Sequence, residues 1–327
     1  MIVEALFYEE FRDKLRCLLC PHHCVLGKNQ YGLCSVRANK NGSLKTINYG
    51  EITSIAMDPI EKKPLYHFKP TKNILSAGSF GCNFTCDFCQ NYSIAQGQPE
   101  SNYLSPEELI KIALRFDDNI GIAFTYNEPS IWYEYVLDTS KKLKETYPHL
   151  SIVLVTNGYI ETEPLKKLLP FVDAMNIDLK AFQEDFYKKV CGGHLEFVKR
   201  TIEEAFERCH VEITTLLVNG LNDSEEEIAK VASYLGELDK NIPLHLSRYF
   251  PTYKMNRPAT DIEVMLADKK IAEKYLNYVY VGNVDMNHST YCPQCKKILI
   301  ERTGFSSKMM IHDNVCPDCG YGIKIVL

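Results

Sequence analysis

The sequence predicts an α/β fold: a TIM-like (β/α) barrel, partial or full, with a cysteine-rich arm before it and a four-cysteine metal ribbon after it. Three observations predict it. Between residues 73 and 285, short apolar runs alternate with longer helical patterns. Most of the short runs are continuous and rich in Val, Ile, Leu and Phe, the mark of strands covered on both faces of a parallel sheet. The thirteen cysteines fall at the edges of that region, in groups at 17–34, 82–89 and 292–319, leaving Cys191 and Cys209 apart. The expected divisions are 1–70 for the arm, 71–285 for the barrel and 286–327 for the ribbon.

In chain order the strand candidates are Ile74–Ala77, Gly121–Thr125, Ile152–Thr156, Val172–Asp178, Val211–Val218, Pro243–Ser247 and Tyr278–Val281. Helices fit between them. Ser105-Pro-Glu-Glu108 forms a capping box with Pro at the first helical position, and LIKIALRF follows. Asn222-Asp223 makes a turn before Ser224-Glu-Glu-Glu227, which opens IAKVASYLGEL. A series of about six βα units argues for a barrel over a sandwich, with a doubly wound open sheet as the alternative, since periodicity does not reveal strand order.

Each of the first six strand candidates runs from apolar residues into polar ones or cysteine. The ends carry Cys82, Tyr126-Asn127-Glu128-Pro129, Thr156-Asn157-Gly158, Asp178-Leu-Lys180, Asn219-Gly220 and Arg248-Tyr249. Strand carboxyl ends are where βα barrels gather functional groups, although Asn-Gly and Glu-Pro alone also make turns.

The chain has 327 residues, 45% hydrophobic and 24% charged, with a net charge of −5. That composition excludes a collagen-like or mainly disordered chain, and the acidic balance argues against a nucleic-acid surface. The opening MIVEALFYEEFRDKLR is broken by charges, so neither a signal peptide nor a membrane span is expected. A cytoplasmic setting follows, in which clustered cysteines are read as metal ligands or catalytic thiols.

The decisive segment is Gly81-Cys-Asn-Phe-Thr-Cys-Asp-Phe-Cys-Gln90, a C-x3-C-x2-C loop. Three thiolates are one too few for a structural zinc site. They suit a 4Fe-4S cube whose fourth iron is left open to bind a small molecule.

This loop, at the end of the first strand and with Phe88 before the third cysteine, resembles that of the radical S-adenosylmethionine (radical SAM) superfamily. The resemblance implies that Cys82, Cys86 and Cys89 bind a 4Fe-4S cluster whose open iron chelates SAM. Reductive cleavage would then give a 5′-deoxyadenosyl radical that abstracts hydrogen. It implies that Phe88 lies by the adenine and that Asn127-Glu128-Pro129 stands where the family has Gly-Gly-Glu-Pro, Tyr126-Asn127 replacing the glycine pair. Thr156, Asn157, Asp178 and Lys180 look like the SAM-lining strand ends of glycyl-radical activases, with Lys180 neutralising the SAM carboxylate; a structural Asp–Lys pair is the other reading. A finer resemblance is to pyruvate formate-lyase activating enzyme-related proteins, and within them the AmmeMemoRadiSam-system type. It is carried by LRCLLCPHHC…YGLCSVR, EKKPLYHFKP, CNFTCDFCQNYSIAQ, FTYNEPSIW, NIDLKAF, YKKVCGG and CPQC…CPDCG. It implies the other proteins of that system as partners and a ferredoxin or flavodoxin as electron donor.

Cys292-Pro-Gln-Cys295 and Cys316-Pro-Asp-Cys319 resemble a zinc ribbon, rubredoxin-type iron being the alternative. Cys17, Cys20, Cys24 and Cys34 make a second four-thiolate set, for zinc or an auxiliary 4Fe-4S cluster, with His22 and His23 able to replace one thiol. Cys191, before Gly192-Gly193, reads as packing or as a catalytic thiol facing substrate. His245 and Arg248 read as contacts to SAM or a substrate carboxylate. Cys209, Trp132 and Tyr133 read as core. The expected function is a radical SAM enzyme. Its rivals are a glycyl-radical activase, an RNA-modifying radical SAM enzyme and a non-catalytic iron–sulfur electron carrier.

Overall fold

The computed structural model describes residues 1–97, 99–303 and 306–327. Its centre is an eight-stranded sheet. The strands are β1 (Ser54–Pro59), β2 (Asn73–Gly78), β3 (Asn119–Phe124), β4 (Ser151–Thr156), β5 (Ala174–Asp178), β6 (His210–Leu217), β7 (Leu244–Arg248) and β8 (Val279–Gly282). They lie side by side in chain order, without the reversal that a doubly wound sheet requires. Every pair from β2 to β8 is parallel. The two end strands, β1 and β8, do not pair with each other among the described residues, so the sheet is open.

The helices between strands follow from their start signals. Ser105 Oγ accepts from Glu108 N at 3.2 Å and the Glu108 carboxylate accepts from Ser105 N at 2.7 Å, so the capping box over Pro106–Ala113 is complete. Ser224 Oγ likewise accepts from Glu227 N at 3.3 Å and opens Glu225–Leu238. Trp132 and Tyr133 are buried where helix Tyr133–Thr146 begins.

One strand escapes a search for apolar runs. SIAMDP of β1 is a mixed sequence because the strand lies at the sheet's edge, with Ile55 exposed, and it pairs antiparallel with β2. β1 ends beside the first residue of β2, and the chain after it runs under the amino end of the sheet. Asn176 Nδ2 donates to Pro64 O at 2.7 Å, while the backbone N–H groups of Tyr66 and His67 donate to the Glu212 carboxylate at 2.9 and 2.6 Å. Glu212 also accepts from His210 Nε2 at 3.0 Å and His245 Nε2 at 2.6 Å. Burial alone would raise the Glu212 pKa; its histidine bonds outweigh that and hold it well below the carboxylate range.

The C-terminal segment is fastened to this floor. Arg302 Nη2 donates to Tyr66 O at 2.7 Å and its guanidinium lies 4.4 Å from the Tyr66 ring centre. Val326 N donates to His67 O at 2.9 Å. Beside them His67 is fully buried, its Nδ1 donating to Lys324 O at 3.2 Å and its Nε2 accepting from Tyr280 OH at 2.7 Å, the pattern of a neutral imidazole.

Burial pushes the His67 pKa down to about 3. An unfolded histidine titrates near 6.5, so below that pH the unfolded chain binds a proton that the folded chain refuses. Stability from His67 is therefore complete above about pH 6.5 and is lost as pH falls toward 3, by up to about 1.4 kcal/mol per pH unit. Urea midpoints measured from pH 7 to pH 5 should fall in wild type and fall less steeply in His67→Gln.

Candidate active site and metal centres

At the opposite, carboxyl end of the sheet lies a cavity of about 570 Å³, a size that takes a small molecule or cofactor. Its wall includes Cys82, Cys86 and Cys89 from the loop after β2, with Phe88 between the last two. Asn127 and Glu128 enter from β3, Thr156 and Asn157 from β4, and Asp178 and Lys180 from β5.

The loop is held from three sides. Thr85 N donates to Cys191 O at 2.9 Å and Asp87 N to Val190 O at 3.1 Å. The Asn127 amide donates to Phe80 O and Gly81 O at 3.2 and 3.1 Å, and its oxygen accepts from Ser79 N at 2.9 Å. Asn157 Nδ2 donates to Asn83 Oδ1 at 2.8 Å and lies 3.7 Å from Cys82 Sγ, toward which Phe84 N also points at 3.4 Å. Gly81 has φ +85°, and a Cβ there would stand 2.6 Å from both Cys34 O and Val36 Cγ1, so this position accepts glycine alone.

Glu128 is buried. Its carboxylate accepts from Thr156 Oγ1 at 2.6 Å, Asn157 N at 2.8 Å and Ser130 N at 2.9 Å, locking the ends of β3 and β4 together. Burial raises its pKa, and these donors oppose the rise. Lys180 Nζ lies 2.8 Å from Asp178 Oδ2 and 5.7 Å from the Phe88 ring centre. Burial would lower the Lys180 pKa, but Asp178 and the Cys86 and Cys191 thiols raise it well above the usual lysine range. It is a fixed cation at the cavity wall.

Three expected site residues lie elsewhere. Arg248 is not in the cavity wall: its Nε donates to Thr260 O at 2.8 Å and its guanidinium lies 4.9 Å from the Phe250 ring centre. Cys191 does not reach the cavity. It ends the turn Tyr187–Cys191, is fully buried, and places its thiol against that of Cys86. His245 shares a face of β7 with Ser247, which does line the cavity, but two residues deeper. There Glu212 takes its Nε2, and its ring stacks on Tyr280. Among the cavity residues that the sequence reading does not single out are Asp58 of β1 and the Lys63 that follows it, paired at 2.8 Å, with Tyr126 OH donating to Asp58 at 2.9 Å. Their signal was hidden because β1 does not read as a strand.

The three loop thiols fit an iron–sulfur cluster by their chemistry. Burial pushes up the Cys82 and Cys89 thiols, so a metal that neutralises them relieves desolvated sulfur. N–H groups aimed at Cys82 Sγ are the donors that tune cluster sulfur.

Cys17, Cys20, Cys24 and Cys34 surround a second, small pocket. His22 lies at its wall and donates from Nε2 to Asn83 O at 2.7 Å, while His23 faces Glu161 at 3.0 Å. At the C-terminus, Cys292, Cys295, Cys316 and Cys319 bring their sulfurs within 4.8 Å of one another, beside the hairpin strands Ile298–Thr303 and Ser306–Met309. This four-cysteine group could hold a metal ion. No helix among the described residues is long and apolar enough to cross a membrane.

A mostly parallel sheet with three thiols at the carboxyl end of its first parallel strand defines a class, and the comparison with known families agrees. The radical SAM superfamily model matches residues 78–233, and the chain belongs to that superfamily. Across 99% of both chains it is 43% identical to an uncharacterized protein of Methanocaldococcus jannaschii. It is 29% identical to the pyruvate formate-lyase-activating enzyme of Clostridium pasteurianum, over 60% of this chain and 87% of that one. The crystal structure of Streptococcus suis SuiB superposes with a TM-score of 0.51 over 68% of this chain and 52% of that one, at 12% identity, a likeness of fold.

The C-terminal hairpin has a small core of its own, so a metal bound by its four cysteines should supply much of its folding energy. Cys292→Ser/Cys319→Ser should lose about one metal ion per chain and expose residues 286–327 to protease. Loop iron, measured on the same sample, should be unchanged.

Proposed function

We propose that this chain is a radical SAM enzyme that cleaves S-adenosylmethionine reductively and removes a hydrogen atom from a substrate. Cys82, Cys86 and Cys89 would hold a 4Fe-4S cluster, which, once reduced, would give one electron to SAM and so release methionine and the 5′-deoxyadenosyl radical. The observation that carries this reading is the convergence of three thiols, a buried carboxylate and a fixed lysine on one cavity. Lys180 provides a positive charge for the SAM carboxylate, and Asp178 holds that charge in place. Glu128 keeps the ends of β3 and β4 in register, so that Asn127 and Asn157 position the loop. Phe88 offers a flat apolar face for the adenine. The closed floor built on Glu212 keeps water from entering behind the cavity, as a radical site requires.

The thiols of the C-terminal ribbon fit zinc, the usual tenant of tightly spaced tetrahedral sulfur. The thirteen free cysteines suit a reducing, cytoplasmic setting. We read the organisation as arm, barrel-like core and ribbon, with a ferredoxin or flavodoxin as the reductant. The proteins of the AmmeMemoRadiSam system are the candidate partners.

A second reading is favoured by the similarity to the clostridial activating enzyme: a glycyl-radical activase whose substrate is a partner protein. EPR spectra of candidate partners after turnover separate the two.

Reconstituted protein given dithionite and SAM should release 5′-deoxyadenosine, and the Cys82/Cys86/Cys89 triple alanine variant none. A loaded wild-type cluster that forms no 5′-deoxyadenosine would falsify the reading. Glu128→Gln should keep its iron but bind SAM about ten- to a hundredfold more weakly, the cost of spoiling a buried charged hydrogen-bond set. Equilibrium dialysis with SAM checks it.

A further inference from the structure

We propose that Cys17, Cys20, Cys24 and Cys34 hold a 4Fe-4S cluster and not a single zinc ion, and that this cluster lies directly against the Cys82–Cys89 loop. The inference takes from the functional reading only that the loop itself binds a cubane.

Sulfur spacing separates the two tenants. Four sulfurs about 2.3 Å from one ion stand about 3.8 Å apart. The C-terminal quartet meets that measure: Cys292 and Cys319 Sγ are 3.6 Å apart, and Cys295 and Cys316 Sγ are 3.5 Å apart. Among the described residues, that quartet is the one set of three or more possible ligands whose atoms all fall within 4.8 Å of one another. No three of the arm thiols do, with or without His22 or His23, and neither do the three loop thiols. In a cubane each thiolate sits on its own iron, so the thiolates stand farther apart than around one ion. The arm quartet, like the loop thiols in the same molecule, therefore does not form the tight shell of a single ion.

The arm thiols are nonetheless aimed at common space. All four line one pocket, together with Leu19, Arg37 and Ile131. The Arg37 guanidinium, paired with Glu134 and donating to Leu6 O at 2.7 Å, brings Nη1 to 3.9 Å from Cys17 Sγ. Backbone hydrogen bonds from Val36 and Arg37 reach the Cys34 thiol. A buried cation and N–H donors around sulfur are the surroundings that stabilise an anionic cluster.

Two contacts join this pocket to the loop. His22, at the pocket wall, donates to Asn83 O at 2.7 Å, and Asn83 follows Cys82. Gly81, which precedes Cys82, packs so closely on the Cys34 carbonyl that a Cβ would stand 2.6 Å from it. Clusters at the two sites would be near enough for their unpaired spins to interact.

The test uses the full-length chain reconstituted with iron and sulfide in the presence of zinc. Wild type should hold about eight irons and one zinc per chain. Cys20→Ser/Cys34→Ser should hold about four irons, keep its zinc, and still show an EPR signal that SAM perturbs. A variant that keeps its iron and loses zinc overturns the proposal. The loop triple alanine variant should keep about four irons in the arm; if it loses none, the loop's cubane fails instead, and the two failures stay distinguishable. Dithionite-reduced wild type should show spin–spin splitting that both variants lack, and two unsplit signals overturn the adjacency. Should the arm variant not fold, iron- and zinc-edge anomalous maps from wild-type crystals decide the metal: an iron peak inside the arm quartet supports the cluster, and a zinc peak there overturns it.

Discussion

The carboxylate of Glu212 carries the architecture. A fully buried charge is tolerable only when its lone pairs are taken up, and here two backbone N–H groups and two histidines take them. Those donors come from separate parts of the chain. Tyr66 and His67 belong to the segment that crosses beneath the sheet, and His210 and His245 to adjacent strands β6 and β7. One anion thus closes the floor and, through Tyr66 and His67, gives Arg302 and Val326 somewhere to attach.

The opposite end follows a different rule. There the polar side chains hold protein first and leave one face open to the cavity. Asn127 and Asn157 fix loop carbonyls and a neighbouring amide, Glu128 clamps two strand ends, and Asp178 restrains Lys180. Geometry of this kind is set before any small molecule arrives, which is what reactive intermediates demand of their container.

Much of this was legible because parallel strands buried on both faces are rich in apolar residues, as most of β2 to β8 are, although Asn176, Glu212 and His245 interrupt β5, β6 and β7. β1 was not legible, since an antiparallel edge strand mixes polar and apolar residues. Periodicity tells which face His245 occupies but not how deep it sits, and depth decides whether it meets the cavity or Glu212. Cys191 shows the same limit: its position after β5 and before Gly192 is plain, yet only the turn that ends there points its thiol at Cys86. The cysteine groups could be counted from the chain, while the spacing of their sulfurs, on which the choice of metal turns, is a property of the fold alone.

Gly81 has a further meaning for how this chain can be taken apart. Its peptide is pressed against the Cys34 carbonyl and Val36, with no slack for even one methyl group. Arm and core are therefore cut to a shared seam rather than joined like beads on a string. A chimaera that swaps the arm for a foreign domain would have to bring along residues 34–36, or redraw the loop bearing Cys82 to match its new neighbour.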